Sequence, residues 1–539
     1  MSQFVDVMLA TAANGQDKGM TTGEPAAPVR RTWAEVHERA RRMAGALDVA
    51  PGTAIAVLAA EPAVIAPAVQ AAWLCGGSVT MLHQPTPRTD LAEWAEDTLR
   101  VLAMIDSRLV LLGSPFDALA DVLEQHGVPY LLLAELDAEP IAAPVPTPED
   151  ATALLQLTSG STADPKAVRI THRNLMANAE GMRIAAALDP TSDVMVSWLP
   201  LFHDMGMVGF LTVPMLFGLE LVKVTPVDFL SRPTLWADLI TRHRGTITAA
   251  PNFAYAIVAR RLASSSDSFD LSTMRLALNG AEPIDPAAVK AFVDAGARFG
   301  LRPESILAAY GMAETTLGVA FAPLFTGLSV DVVDADAVEA SHRAEPAAEG
   351  RAFPLLGPPL PGLELRVVSD SGSGEVLGVR DVGELQIRGD AVTPGYLTVN
   401  GPLATQDASG WLSTGDIGYV VEDGQVVVCG RRKDVIIMGG RNIYPTDVER
   451  AACSVDGVRA GNAVAVRLDA GTQRERFAVV VESKLAGDAD AEKDLVKQVT
   501  ARVVDAVGLR PFAVVVQPPG TLPKTPSGKL RRSAAAALV

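Results

Sequence analysis

The stretch LTSGSTADPKAVRITH, residues 157–172, sets four hydroxyls, on Thr158, Ser159, Ser161 and Thr162, around Gly160, with Lys166 shortly after. Residues 156–158 read as the end of a strand, the small-residue cluster as a turn, and Thr171 as the N-cap of a helix beginning near Arg173. A strand, a tight turn and a helix in that order belong to an α/β fold. Hydroxyls and backbone N–H groups in such a turn make a concavity suited to polyphosphate. The pattern G-x-x-x-x-G-K-[ST] is absent, which disfavours a P-loop phosphohydrolase. Taken alone, an ordinary Ser/Thr surface turn is the alternative reading.

Upstream, short apolar runs alternate with longer amphipathic ones. AIAVLAA (54–60), SVTML (78–82), RLVLLG (108–113) and PYLLLAEL (129–136) read as strands. VIAPAVQAAWL (64–74) and LAEWAEDTLRVLAMI (91–105) read as helices between them. This alternation predicts parallel sheets covered by helices. Glu61, Pro62 and Pro67 break the most apolar region into pieces too short to span a bilayer, so no transmembrane segment is expected. After a Pro-rich connection (140–150) the pattern resumes. Between 354 and 432 the texture changes to short β-rich pieces (LELRVVS, VGELQIRG, GQVVVCG) parted by turn residues, which predicts a small β subdomain. Beyond it, VERAACSVDGV and AEKDLVKQVTARVVDAVG read as helices and RAGNAVAVRL, FAVVVES and FAVVVQ as strands of a compact α+β segment.

The chain has 539 residues, 48% of them hydrophobic and 20% charged, enough for a large core divided into lobes. Its 46 Lys+Arg against 63 Asp+Glu give a net charge of −17, which argues against nucleic acid as a partner. Cys75, Cys429 and Cys453 are far apart and in no metal-like spacing, which points to a reducing, cytoplasmic setting. The first residues lack a basic lead, and no signal peptide is expected.

Seven further stretches follow in order: SWLPLFHDMGMVG (197–209), APNFAY (250–255), LNGAEPI (278–284), AAYGMAETTL (308–317), WLSTGDIGYV (411–420), GRRKDVIIMGGRNIYPTDVE (430–449) and PKTPSGKLRR (523–532). Together they resemble the core motifs of the adenylate-forming superfamily over roughly residues 30–535. Within it the forms LPLFHDMG and APNFAY resemble fatty acyl-AMP ligases, with a weaker likeness to those of mycobacterial type. Glu314 and Gly357 stand 43 positions apart, and SVDVVDADAVEASHRAEPAAEGR resembles the extra segment of that branch, placed near 324–353.

The resemblance implies an N-terminal adenylation domain over 1–430, made of layered α/β sheets with a small β subdomain. It implies a mobile α+β domain over 431–539. The implied reaction is attack of a medium- or long-chain fatty carboxylate on ATP to give acyl-AMP and pyrophosphate. Acyl transfer to the phosphopantetheine arm of a holo-acyl carrier protein would follow. An acyl-CoA synthetase sharing the first half-reaction, and a non-catalytic relative that binds nucleotide or acyl chains, are the alternatives. By the same resemblance Lys529 is the catalytic lysine and Glu314 holds Mg²⁺ on the phosphates. Thr158, Ser159, Gly160, Ser161, Thr162 and Lys166 wrap the phosphates. Asn279, Gly280 and Ala281, with Tyr310, Gly311, Met312 and Ala313, flank the adenine. Asp416 and Arg431 take the ribose, and Lys433 or Asp434 is the hinge pivot.

His203 and Asp204 are adjacent, which suits a shared metal ion poorly; the resemblance makes His203 a gate between acyl chain and nucleotide, against a structural histidine. Phe202, Met205, Met207 and Phe210 line an acyl tunnel or are plain core. Ala163 and Ala167 stand where the superfamily usually has glycine, and the second is expected to stiffen the loop.

Overall fold

The computed structural model describes residues 2–14, 17–85, 91–158, 164–370, 372–438, 441–470, 472, 475–524 and 529–539. The chain divides into two compact units. The first comprises residues 1–328, 357–364 and 388–412, the second 329–356, 365–387 and 413–539.

Among the described residues the first unit holds two eight-stranded sheets, mostly parallel as the alternation predicts. In one, six parallel strands (Ile306–Gly311, Leu276–Asn279, Ile247–Ala250, Val194–Ser197, Glu220–Lys223 and Gly19–Thr22) carry an antiparallel strand at each edge, Gly318–Phe321 and Val29–Thr32. In the other, Tyr130–Leu132, Leu109–Leu112, Ala54–Leu58, Ser78–Met81 and Thr152–Thr158 run parallel. Lys166–Thr171, Gly395–Thr398 and Gly401–Ala404 then extend that sheet antiparallel. The strand Ala54–Leu58 and the helix Pro62–Leu74, with Pro67 inside it, are the pieces of the apolar region, and both are buried. Among the described residues no helix is long and apolar enough to cross a membrane.

The opening stretch departs from expectation in one respect. The chain does not pass from the strand Thr152–Thr158 straight to a helix, because Lys166–Thr171 forms a strand that returns antiparallel beside the first. Thr171 does cap the helix His172–Ala185, accepting from Asn174 N while Asn174 Oδ1 accepts from Thr171 N. Ala167 pairs with Leu157 on one side and Leu397 on the other and is fully buried. Its backbone is ordinary extended strand, where alanine loses nothing that glycine would offer. The stiffening expected at Ala167 therefore has no basis there. Ala163 lies outside the described residues.

The β-rich stretch forms a four-stranded sheet in the order Leu363–Val368, Gly383–Gly389, Leu412–Val420, Val426–Arg431. The extra segment forms a two-stranded antiparallel sheet, Val330–Val333 with Arg351–Pro354. The last hundred residues form a three-stranded sheet of Val458–Leu468, Arg476–Ser483 and Ala513–Gln517. The helices Pro445–Cys453 and Ala489–Val507 lay Val448, Leu495, Val499, Val503 and Val507 against Phe477, Val479 and Val481. Arg351 pairs with Glu339 (2.5 Å) and Asp447 (3.1 Å), and Glu339 also takes Arg441 (2.5 Å). Arg351 and Glu339 are buried, so the extra segment meets the C-terminal segment through charges removed from water.

Candidate active site

In the first unit the strand Lys166–Thr171 and its neighbour Gly395–Thr398 bring together residues far apart in sequence. Lys166 Nζ lies 4.1 Å from the centre of the Tyr396 ring. The Tyr396 hydroxyl donates to Glu314 Oε1 at 2.6 Å. Thr393 N donates to the Glu314 carbonyl at 2.8 Å, so the same segment fixes backbone and side chain of Glu314. Thr158 ends its strand with a buried Oγ1 that has no partner among the described residues. Ser159, Gly160, Ser161 and Thr162 lie outside the described residues.

Two turns meet where Gly280 comes up against the strand Ile306–Gly311. Asn279 closes the strand Leu276–Asn279, fully buried, with its amide nitrogen on Asn252 Oδ1 at 3.1 Å. Its own Oδ1 is buried and has no partner among the described residues. Gly280 follows, where a Cβ would meet the Ala309 carbonyl at 2.9 Å, and Ala281 takes a left-handed φ of +68°. On the neighbouring strand Tyr310 is buried, and at Gly311 a Cβ would meet the Leu317 carbonyl at 2.4 Å. Met312 N donates to that carbonyl at 2.8 Å, Ala313 is buried, and Glu314 lies in the 3-10 turn Ala313–Thr315. Thr316 then adopts φ +72°, ψ −53°, a costly conformation for a β-branched residue, held by its hydroxyl on the Ala391 carbonyl at 3.1 Å. Strained backbone of this kind gathers where a ligand must be met at close range.

His203 pairs through Nδ1 with Asp204 Oδ1 at 2.6 Å, so the two residues face each other. Beyond them Met205–Thr212 winds as a π-helix whose side chains are all buried. Gln156, on the strand leading to Thr158, donates to the Phe202 carbonyl at 3.0 Å and ties this segment to the phosphate-side strand. His83 sets its ring edge-on to Phe202, 5.6 Å between centres, and burial beside His203 pushes its pKa down to about 4. Sequence reading passed over Gln156, His83 and Tyr396. Phe202, Met205, Met207 and Phe210 are all buried.

In the second unit Asp416 and Arg431 face each other across paired antiparallel strands, with Arg431 Nε 2.8 Å from Asp416 Oδ1. Asp416 is buried and its amide is held by Thr414 Oγ1 at 3.0 Å. The turn from Arg431 follows at once: Asp434 N and Val435 N both donate to the Arg431 carbonyl. Lys433 offers its carbonyl to Arg467, and Asp434 takes Arg532 at 3.0 Å. Arg532 also grips Glu449 with two 2.7 Å bonds, and with both carboxylates beside it its pKa is raised despite burial. Lys529, half-buried, precedes Leu530, whose bridge to Lys524 closes the loop. Residues 525–528 of that loop are outside the described set.

Residues 10–397 match the family of AMP-binding enzymes. This chain belongs to that family. An AMP-binding enzyme of this kind is 56% identical to the putative ligase Rv1013 of Mycobacterium tuberculosis over the whole of both chains. It is 34% identical to the long-chain-fatty-acid–AMP ligase FadD28 of the same organism, over 71% of this chain and 69% of that one. A solved fatty acyl-adenylate ligase, from work on the E. coli and L. pneumophila enzymes, superposes with a TM-score of 0.88 at 29% identity, covering 100% of this chain and 98% of that one. The resemblance to fatty acyl-AMP ligases, with mycobacterial relatives, and the α/β fold class are thus both found.

The donors of this AMP-binding enzyme fit Mg²⁺ carried by a nucleotide. Among the described residues no three His, Cys, Asp or Glu side chains gather to cage an ion. Glu314 supplies one hard carboxylate, and Mg²⁺ commonly binds through one or two carboxylates plus substrate phosphates and water.

Proposed function

We propose that this chain activates a medium- or long-chain fatty acid with ATP, forming acyl-adenylate and pyrophosphate, and passes the acyl group to the phosphopantetheine thiol of an acyl carrier protein. The observation that carries the nucleotide half is the Glu314 carboxylate, 2.6 Å from the Tyr396 hydroxyl, set beside the Lys166 ammonium on the same ring, a cation ligand next to a phosphate partner. A hard carboxylate oxygen suits Mg²⁺, and an ammonium suits phosphate oxygens. The names of the relatives support the fatty-acid half. The segment at 329–356, folded on its own strand pair, supports the carrier-protein acceptor by its likeness to the extra segment of fatty acyl-AMP ligases.

In this reading a carboxylate oxygen of the fatty acid attacks the α-phosphorus, and the bond to the pyrophosphate oxygen breaks. Lys529 Nζ neutralises charge gathering between carboxylate and α-phosphate. Thr158 and Lys166 hold the outgoing phosphates, with Ser159, Gly160, Ser161 and Thr162 completing the loop. Asp416 accepts the ribose hydroxyls and Arg431 fixes its carboxylate. Asn279, Gly280, Ala281, Tyr310, Gly311, Met312 and Ala313 enclose the base. Bound through Glu314, Mg²⁺ would supply positive charge to the phosphate oxygens as the leaving group departs. Positioning and fixed charge of this sort carry most of the rate in phosphoryl-type transfers. His203 gates the passage from acyl chain to nucleotide. Residues 1–430 act as the adenylation domain, and 431–539, pivoting at Lys433 or Asp434, form the mobile piece that carries Lys529. The second half-reaction joins the thiol sulfur to the acyl carbon and releases AMP in the cytoplasm.

The test uses radiolabelled fatty acid with ATP and Mg²⁺, followed by CoA or a holo-carrier protein in separate tubes. Acyl-AMP that is consumed by the carrier protein is expected. Efficient acyl-CoA formation would overturn the acceptor assignment, and no adenylate with any medium or long chain would overturn the activity.

A further inference from the structure

We propose that Tyr396 is a positioning residue for the phosphate end of this site: its hydroxyl orients the Glu314 carboxylate while its ring face seats the Lys166 ammonium. The inference rests on the adenylate-forming reading and adds a residue to it.

The argument begins with register. Thr398 lies opposite Lys166 and Tyr396 opposite Val168, so Lys166 and Tyr396 share one face of the sheet as diagonal neighbours. At that separation a long side chain reaches an aromatic ring, and Lys166 Nζ stands 4.1 Å from the ring centre. The other end of the same ring donates its O–H to Glu314 Oε1 at 2.6 Å. A lysine and a glutamate gathered on one ring are drawn toward an ion pair, in which each cancels the charge the other offers to a ligand. No ion pair links Lys166 and Glu314 among the described residues. The phenol stands between them and gives each a separate partner: an ordinary donor for the carboxylate, a ring face for the ammonium.

This arrangement keeps both charges available. The single O–H donor takes one of about four acceptor positions of the carboxylate and fixes its plane, leaving the rest for a cation. The Lys166 ammonium keeps its three N–H donors, because the ring satisfies its charge without demanding a directed bond. Tyr396 also comes with its own anchor. Thr393, three residues earlier, bonds the Glu314 carbonyl through its amide, and its hydroxyl donates to the Arg169 carbonyl on the Lys166 strand. The connecting segment is therefore tied to both groups it positions.

The experiment measures binding of a non-hydrolysable probe, α,β-methylene ATP, to the full chain by calorimetry with and without Mg²⁺. The readout is the Mg²⁺-dependent gain in affinity. Tyr396→Phe keeps the ring face and removes the donor, and its gain is expected to fall about ten-fold, the scale of a lost hydrogen bond to a charged group. Glu314→Gln is expected to lose the gain as well, and the double variant Tyr396→Phe with Glu314→Gln to lose no more than Glu314→Gln alone. Tyr396→Leu removes the ring too and is expected to weaken binding a further few-fold through Lys166. Melting temperatures of all variants, matched to the parent, separate these effects from a folding defect. A parent chain with no Mg²⁺-dependent nucleotide binding overturns the proposed function and this role together. Parent binding with an unchanged Tyr396→Phe, or losses that simply add in the double variant, overturns this role alone.

Discussion

Lys529 bears the heaviest assignment of any single residue, and it is the simplest to test. Lys529→Ala should lower adenylate formation at least about a hundred-fold, the scale of removing one electrostatic contact to a transition state, with an unchanged circular dichroism spectrum. Wild-type rates of pyrophosphate release would refute its role. His172 gives a residue-level prediction about stability. It is fully buried, Ser2 Oγ meets its Nδ1 at 3.0 Å, and burial pushes its pKa down from 6.5 to about 4. Above pH 6.5 the ring is neutral in folded and unfolded chains alike. As pH falls from 6.5 through 4, the unfolded chain binds a proton that the folded chain refuses, so stability is lost, by on the order of 3 kcal/mol across the whole interval. Urea unfolding of the parent should therefore weaken between pH 7 and pH 5, and His172→Asn should show a shallower slope. At this scale the sequence named Asp416 and Arg431 separately, as two residues for one ribose, and the structure adds that they are partners across a ladder. Tyr396 was out of reach, because its role depends on a pairing between segments such as Arg169 and Thr393, 224 residues apart.

Elements were legible wherever hydrophobic period and turn chemistry agreed. The strands and helices between 54 and 132, the capped start of His172–Ala185 and the last α+β segment all follow from such agreement. The strand Lys166–Thr171 did not, since six residues behind a polar turn carry too little pattern to be told from a loop. The folded form of the extra segment was equally hidden: its polar texture gives no sign that Glu339 ends up buried between Arg351 and Arg441. That cluster makes a prediction at the scale of elements. Removing one member leaves charges buried without compensation, which costs about 3–5 kcal/mol. Glu339→Ala should therefore lower the melting temperature of the second unit by several degrees in calorimetry. Lys290→Ala, which breaks an exposed pair with Asp294, should leave it nearly unmoved. Equal effects of the two changes would mean the cluster contributes no more than a surface contact.

For the whole molecule the governing fact is that the two units are not consecutive. The chain passes between them at 328/329, 356/357, 364/365, 387/388 and 412/413. A protein ending at residue 328 would lack Gly395–Thr398 and Gly401–Ala404, and the strand Lys166–Thr171 would become an open edge. Open edges recruit other chains, so that truncation should elute as aggregate in gel filtration, whereas ending at 412 or beyond should preserve that sheet. A monodisperse, cooperatively melting 1–328 fragment would contradict this. The same threading acts during synthesis. A ribosome adding about 5–20 residues per second needs on the order of ten to fifty seconds between releasing Thr171 and releasing Ala404. Throughout that interval the nascent sheet waits with one side unpaired, its edge strand carrying the charge of Lys166. That charge thus protects the newborn chain before the ring of Tyr396, its folded partner, has been made.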